Sequence, residues 1–335
     1  MPDTRPVHPL LRAAAERQLG AFTAADVHRA GYDHVEVRRL CASGRWVRLR
    51  RGVYAAAEDL AGLTGPARRE VECMAVLLHL GRPATAVSHA TAAELRGLPV
   101  PRALDADIRL TDPARWRRGQ GFVMQRAPLL PGDVVARGPL RLTSAARTLV
   151  DCAREWPLED AVVAIDAALL AGRVTPEQLA RAAAAATTWP GTRAAARAVG
   201  LADGRAESPL ETRGRLRILG AGLPTPELQV EIRVAGRLVA VVDAWFDDVA
   251  VAVEFDGQVK YTDPWRDPGR VLWEEKRRED VLRALGIRVV RVVDHDLRAG
   301  WTATEQRLLE LTSTPGPAAR RFAARPRERG VRRTG

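Results

Sequence analysis

The segment LVAVVDAWFDDVAVAVEFDGQVKY, residues 238–261, constrains the fold more than any other stretch of this chain. Apolar residues alternate on both sides of Asp247-Asp248, the period of two strands joined by a turn. With a two-residue turn, Phe246 pairs with Val249 and Asp243 falls opposite Ala252. Asp243 and Glu254 are then diagonal neighbours on one sheet face, ~7–8 Å apart between backbones. Asp256 shares that face, and Val251, Val253 and Phe255 take the other. Three clustered carboxylates repel and raise one another's pKa, and a divalent cation between them removes the conflict. Hard oxygen ligands of this kind suit magnesium or manganese.

The flanking residues place this hairpin in a mixed domain. From about residue 207 the order reads helix (208–221), strands (227–234, 237–246 and 249–256), loop, helix (268–285), strand (287–293) and helix (302–312). Ser208, Pro209 and Glu211 take the N-cap, N1 and N3 positions, so helix chemistry alone makes Glu211 a capping-box residue. Of the 52 basic residues only Lys260 and Lys276 are lysine, and both stand beside this motif. A compact ammonium at Lys260 is suited to stabilising phosphorane-like charge or positioning water. Lys276 also fits an i,i+4 pair with Asp280.

The first ~58 residues carry a different pattern, with boundaries good to a few residues. Helix one covers Pro9 to Leu19, and Thr23 with Asp26 opens a short second helix ending at Gly31. A third runs from Asp33 to Ala42 and stops at Ser43-Gly44. RWVRLRRGVYAAA then alternates and turns at Gly52, a small hairpin. Three short helices followed by a basic hairpin is the order of a winged helix-turn-helix. Its basic residues are Arg38 and Arg39 on helix three and Arg45, Arg48, Arg50 and Arg51 on the hairpin, against Glu36 alone. In such a motif the second helix of the pair enters the major groove while the wing grips phosphate, and guanidinium groups suit both tasks.

Between these ends, residues 61–202 read as a mixed middle domain. Helices are expected at 66–80, 86–96, 144–155, 158–171 and 176–199, and strands at 106–111, 121–126 and 133–142. The tail, 313–335, is rich in Arg, Pro and Gly and reads as disordered. Formal charge is +11, of which 36–54 contribute +5 and 320–335 contribute +6. Three scattered cysteines fit a reducing compartment. No stretch approaches the ~18 apolar residues of a membrane span, and no leader pattern opens the chain. The expected chain is therefore a cytoplasmic, multidomain α/β (α+β) protein with parts at 1–60, 61–202, 203–312 and 313–335.

FTAADVHRAGYDHVEVRRLCASGRWVRLRRGVY, with LTSAARTLVDCAR (142–154) and AIDAALLAGRVT (164–175), resembles the AbiEi antitoxin family over about residues 1–200. That resemblance implies promoter binding by the winged helix and a cognate toxin protein as partner. SPLET, GLPTPELQ, VVDAW, EFDGQVKY and REDVLRALGIRVVRVVDHDL resemble the restriction-endonuclease-like PD-(D/E)XK superfamily over 207–298. The branch related to very-short-patch-repair endonucleases is the most similar. It implies Asp243 and Glu254 as metal ligands, Glu211 as an outer ligand, Asp256 or Lys260 orienting water, and Lys260 replacing the motif lysine. The superfamily's lysine position is Asp256 here. Two functions are therefore expected. One is a magnesium-dependent endonuclease delivered to double-stranded DNA by its winged helix. The other is a non-enzymatic antitoxin-type regulator whose nuclease-like domain is inactive.

Overall fold

The computed structural model describes residues 7–103, 105–257 and 277–328. Its contacts divide the chain into two compact units, Met1–Asp160 with Val174–Val199, and Ala161–Arg173 with Gly200–Gly335. Among the described residues no helix is long and apolar enough to cross a membrane.

The first unit opens with α1 (Pro9–Arg17), β1 (Ala21–Thr23), α2 (Ala24–Arg29), α3 (His34–Ala42), β2 (Trp46–Arg50) and β3 (Val53–Ala56). The helix starts are written in the sequence. The Thr23 hydroxyl accepts from the Asp26 N–H, and the Asp26 carboxylate accepts from the Thr23 N–H at 2.8 Å. Asp33 and Glu36 cap α3 in the same reciprocal way. The three strands form an antiparallel sheet in the order β1-β3-β2. β1 is additional to the expected elements, because three residues are too few to show an alternation.

The same unit continues through α4 (Ala57–Leu60), α5 (Gly65–Leu80), β4 (Ala86–Val87), α6 (His89–Leu95), β5 (Ile108–Asp112), β6 (Arg117–Gly119), β7 (Phe122–Arg126), β8 (Val134–Arg137) and β9 (Leu140–Thr143). Then come α7 (Ala145–Ala153), α8 (Leu158–Leu170), α9 (Pro176–Ala185) and α10 (Thr192–Leu201), with most of α8 counted in the second unit. The sheet order is β6-β7-β5-β4-β9-β8. Val53 of the wing shares one buried core with Val76, Leu110, Met124 and Leu142. Burial across that seam explains why the winged helix packs as one unit with residues 61–160 and 174–199.

The second unit holds α11 (Pro209–Gly220), β10 (Glu227–Val234), β11 (Arg237–Phe246), β12 (Val251–Asp256), α12 (277–284), β13 (Arg288–Val293), α13 (Asp294–Arg298), α14 (Trp301–Thr312) and β14 (Ala323–Pro326). Its sheet runs β13-β12-β11-β10-β14, with only β12 and β13 parallel. Val251, Val253 and Phe255 meet Ile218 and Leu308 on one face. Ala252, Trp245 and Val242 meet Leu282 and Ile287 on the other.

Three expectations change. The boundary near residue 202 does not separate α8 from α11. The buried Asp166 carboxylate of α8 accepts from Thr212 Oγ1 and Arg215 Nη2 at 2.9 Å and from the Asp203 N–H at 2.7 Å. Burial nonetheless pushes that carboxyl up to about 6. The β11–β12 turn is longer than two residues, because Phe246 pairs with Val251 and Ala250 takes a left-handed φ of 52°. An even shift keeps each residue on its face and moves the register by two, so that Ala244 pairs with Val253. Finally, residues 313–328 are ordered. β14 pairs with β10, the Phe322 ring stands edge-on to Trp245 at 5.9 Å, and Arg320 binds the Asp247 carboxylate at 2.9 Å.

Deleting residues 319–335 should cost the second unit about 2 kcal/mol and lower its melting temperature by about 5 °C. It also bares the β10 edge, so self-association should rise in sedimentation velocity. An unchanged melt would show that the tail does not support the sheet.

Candidate functional site

Two groups of side chains carry chemistry, one in each unit. In the first, Arg38 and Arg39 lie exposed on α3, and Arg48 and Arg51 are exposed on the β2–β3 hairpin. Arg45, at the foot of β2, is half-buried. Arg50 differs from the expectation of a DNA-facing side chain. It is half-buried, and its guanidinium donates to the carbonyl of Gln120 in the β6–β7 turn. His79 Nδ1 donates to the Arg51 carbonyl at 3.0 Å, tying the wing to the end of α5. Arg48, Arg50, Arg51, His79 and Gln120 line a cleft of about 390 Å³ above Phe122. This geometry offers guanidinium donors on a recognition helix and on the wing beside it.

LTSAARTLVDCAR, residues 142–154, builds a buried ionic girder. Arg147 Nε donates to Asp151 and Nη1 to Asp133, at 2.8 and 2.9 Å. Arg147 and Arg154 both lie over the Trp189 ring, 4.4 and 5.0 Å from its centroid. Burial raises the Asp151 pKa against those two guanidiniums.

In the second unit, Glu211, Asp243, Glu254 and Asp256 are brought to one region by α11, β11 and β12. The Gln229 amide donates to Glu211 at 3.0 Å and to Asp243 at 3.4 Å. Gln229 closes the GLPTPELQ motif, and only the fold shows that its amide bridges the two carboxylates. Its backbone is left-handed at φ 53° inside β10, a strained conformation of the kind found at functional sites. Asp243 Oδ2 also accepts from the Phe255 N–H at 2.8 Å. Half of the expected capping box forms, the Glu211 N–H donating to Ser208 Oγ, while the Glu211 carboxylate accepts from the Glu207 N–H in place of the N-cap Ser208. Glu254 is 8% exposed, and Arg278 and Arg291 approach its carboxylate at 3.1 and 3.7 Å. Asp256 Oδ1 is buried with no hydrogen-bond partner among the described residues. Lys260 and Lys276 lie outside the described residues.

Burial raises the pKa of Glu211 and of Glu254, and the Asp243 charge adds to both. Among the described residues no three His, Cys, Asp or Glu side chains form a group able to hold a metal, and two guanidiniums already compensate Glu254.

A winged helix with basic residues on the third helix and wing defines a class of DNA-binding regulator, and residues 9–57 match the family of AbiEi antitoxin transcriptional regulators. The chain as a whole belongs to the family of the uncharacterized proteins MT2308 and Rv2248 of Mycobacterium tuberculosis, strains CDC 1551 and H37Rv. It is 32% identical to each over 259 residues, which span 76% of this chain and 88% of each relative. The crystal structure of the RV2827C protein from Mycobacterium tuberculosis aligns with 66% of this chain and 82% of its own, at 16% identity and a TM-score of 0.42.

Both raised glutamates hold protons more tightly folded than unfolded. Their contribution to stability is therefore present at low pH and is lost as pH rises through their folded values. Asp243→Asn should lower both pKa values and flatten that loss, read by carboxyl ¹³C NMR titration and by melting against pH. Unchanged glutamate titrations would contradict the coupling.

Proposed function

We propose that this chain is a DNA-binding transcriptional regulator of the AbiEi antitoxin type. The observation that carries the reading is the winged helix of residues 9–57, which matches that regulator family and bears exposed Arg38 and Arg39 on α3 and Arg48 and Arg51 on the wing. α3 enters the major groove, and the wing arginines neutralise phosphates on its flank. The family match also makes a cognate toxin protein its partner by analogy.

A second reading, a magnesium- or manganese-dependent DNA hydrolase, is favoured by the convergence of Glu211, Asp243, Glu254 and Asp256 and by the orphaned Asp256 oxygen. Lys260, the remaining member of that expected set, lies outside the described residues.

Replacing Arg48 and Arg51 together by Ala should weaken binding to a labelled duplex. The slope of log K against log salt should fall by about two, one per lost phosphate contact. An unchanged slope at unchanged melting temperature contradicts the wing assignment. The hydrolase reading expects nicking of supercoiled plasmid in magnesium or manganese, abolished by EDTA and by Glu254→Ala. A protein that binds the plasmid and leaves it intact in both metals removes that reading.

A further inference from the structure

We propose that DNA lies across both the wing and the β6–β7 hairpin, with a backbone phosphate in the cleft between them. This rests on the DNA-binding reading of the winged helix and extends it to residues 114–121, outside the segment that matches the regulator family.

The hairpin reads ARWRRGQG, three guanidinium groups and no acid in eight residues. Because the +5 wing and the +6 tail account for the whole +11, the rest of the chain is neutral on balance, and this hairpin is a local concentration within it. Arg115, Arg117 and Arg118 are all exposed, and Trp116 is 62% exposed, so its indole supports no core. Arg117 stands over the Phe122 ring, 5.8 Å from its centroid, and Phe122 floors the cleft that Arg48, Arg50 and Arg51 line. Arg118 is partly compensated by Asp107 at 3.5 Å, which leaves Arg115 and Arg117 as the stronger phosphate ligands.

The hairpin is also fixed to the wing. Arg50 spends its guanidinium on the Gln120 carbonyl, and Gly121 permits that approach. Gly121 sits at φ 68°, and a Cβ there would stand 3.1 Å from Arg50 Nη2. Arg48 and Arg51 therefore line a preorganised basic cleft, and Arg117 stands beside it over the Phe122 ring that the cleft shares. The cleft lining includes no carboxylate, and its polar groups are guanidinium, imidazole and amide. That chemistry suits a phosphodiester, whose oxygens accept several guanidinium hydrogen bonds at once. Arg50 becomes a positioning residue that holds the two basic elements in register.

The test uses the full chain and a fluorescein-labelled duplex of mixed sequence, because phosphate contacts carry no sequence information. Arg115→Gln with Arg117→Gln should lower the salt slope by about two. The affinity lost between 50 and 200 mM salt should therefore shrink by about tenfold. The same result is expected in the wild type without any substitution: duplex should protect Arg115 and Arg117, with Arg48, from phenylglyoxal, read by mass spectrometry. If the Arg48 and Arg51 variant loses slope while the hairpin variant keeps the wild-type slope, or if Arg115 and Arg117 remain fully reactive on DNA, the extension is wrong and the winged-helix reading stands. Absence of duplex binding by the wild type overturns both.

Discussion

The Trp46 side chain fixes the geometry on which the DNA-facing surface depends. It is 3% exposed, and its ring lies 4.9 Å from Phe22, 5.2 Å from Tyr32 and 6.3 Å from Tyr54. Those partners come from β1, the α2–α3 turn and β3, so one indole joins the helices to the sheet. An aromatic cluster of this kind adds edge and offset contacts to a large buried area. Arg48 and Arg51 of the same hairpin are exposed. Apolar packing holds the recognition helix and wing in one orientation, and Arg50 of the wing serves the scaffold.

The second unit applies guanidinium chemistry in the opposite way. Arg215 enters the interior to meet Asp166, and Arg278 and Arg291 close on Glu254. A buried carboxylate costs several kcal/mol unless paired, and these pairs offset that cost. The carboxylate group thus holds together as a network of arginines, Gln229 and backbone donors. The tail adds an edge strand, and Arg320 with Phe322 anchors it to Asp247 and Trp245.

Local signals are legible where a few adjacent residues decide the outcome. The Thr23 cap, the start of α3 beside Asp33, the stop at Gly44 and the turn at Gly52 all lie where the sequence places them. Strand faces in β11 and β12 are also readable, and Val251, Val253 and Phe255 are buried as the alternation requires. Register is not readable, because a left-handed Ala250 lengthens the turn and nothing in an alanine announces it. β14 is hidden because an edge strand needs little apolar content, so its Arg and Pro resemble a disordered tail. The Arg50 contact with Gln120 spans 70 residues, and the strained Gln229 bridge depends on α11 and β11 arriving together. Such contacts arise from tertiary packing, which local periodicity does not encode.

Hydrogen exchange of the full chain with and without duplex DNA tests the central claim most directly, since it locates the DNA without presuming a residue. The account predicts slowed exchange in peptides covering α3, the β2–β3 wing and the β6–β7 hairpin, with β10, β11 and β12 unchanged. Protection confined to the sheet of the second unit, with α3 and the wing unaffected, would contradict it.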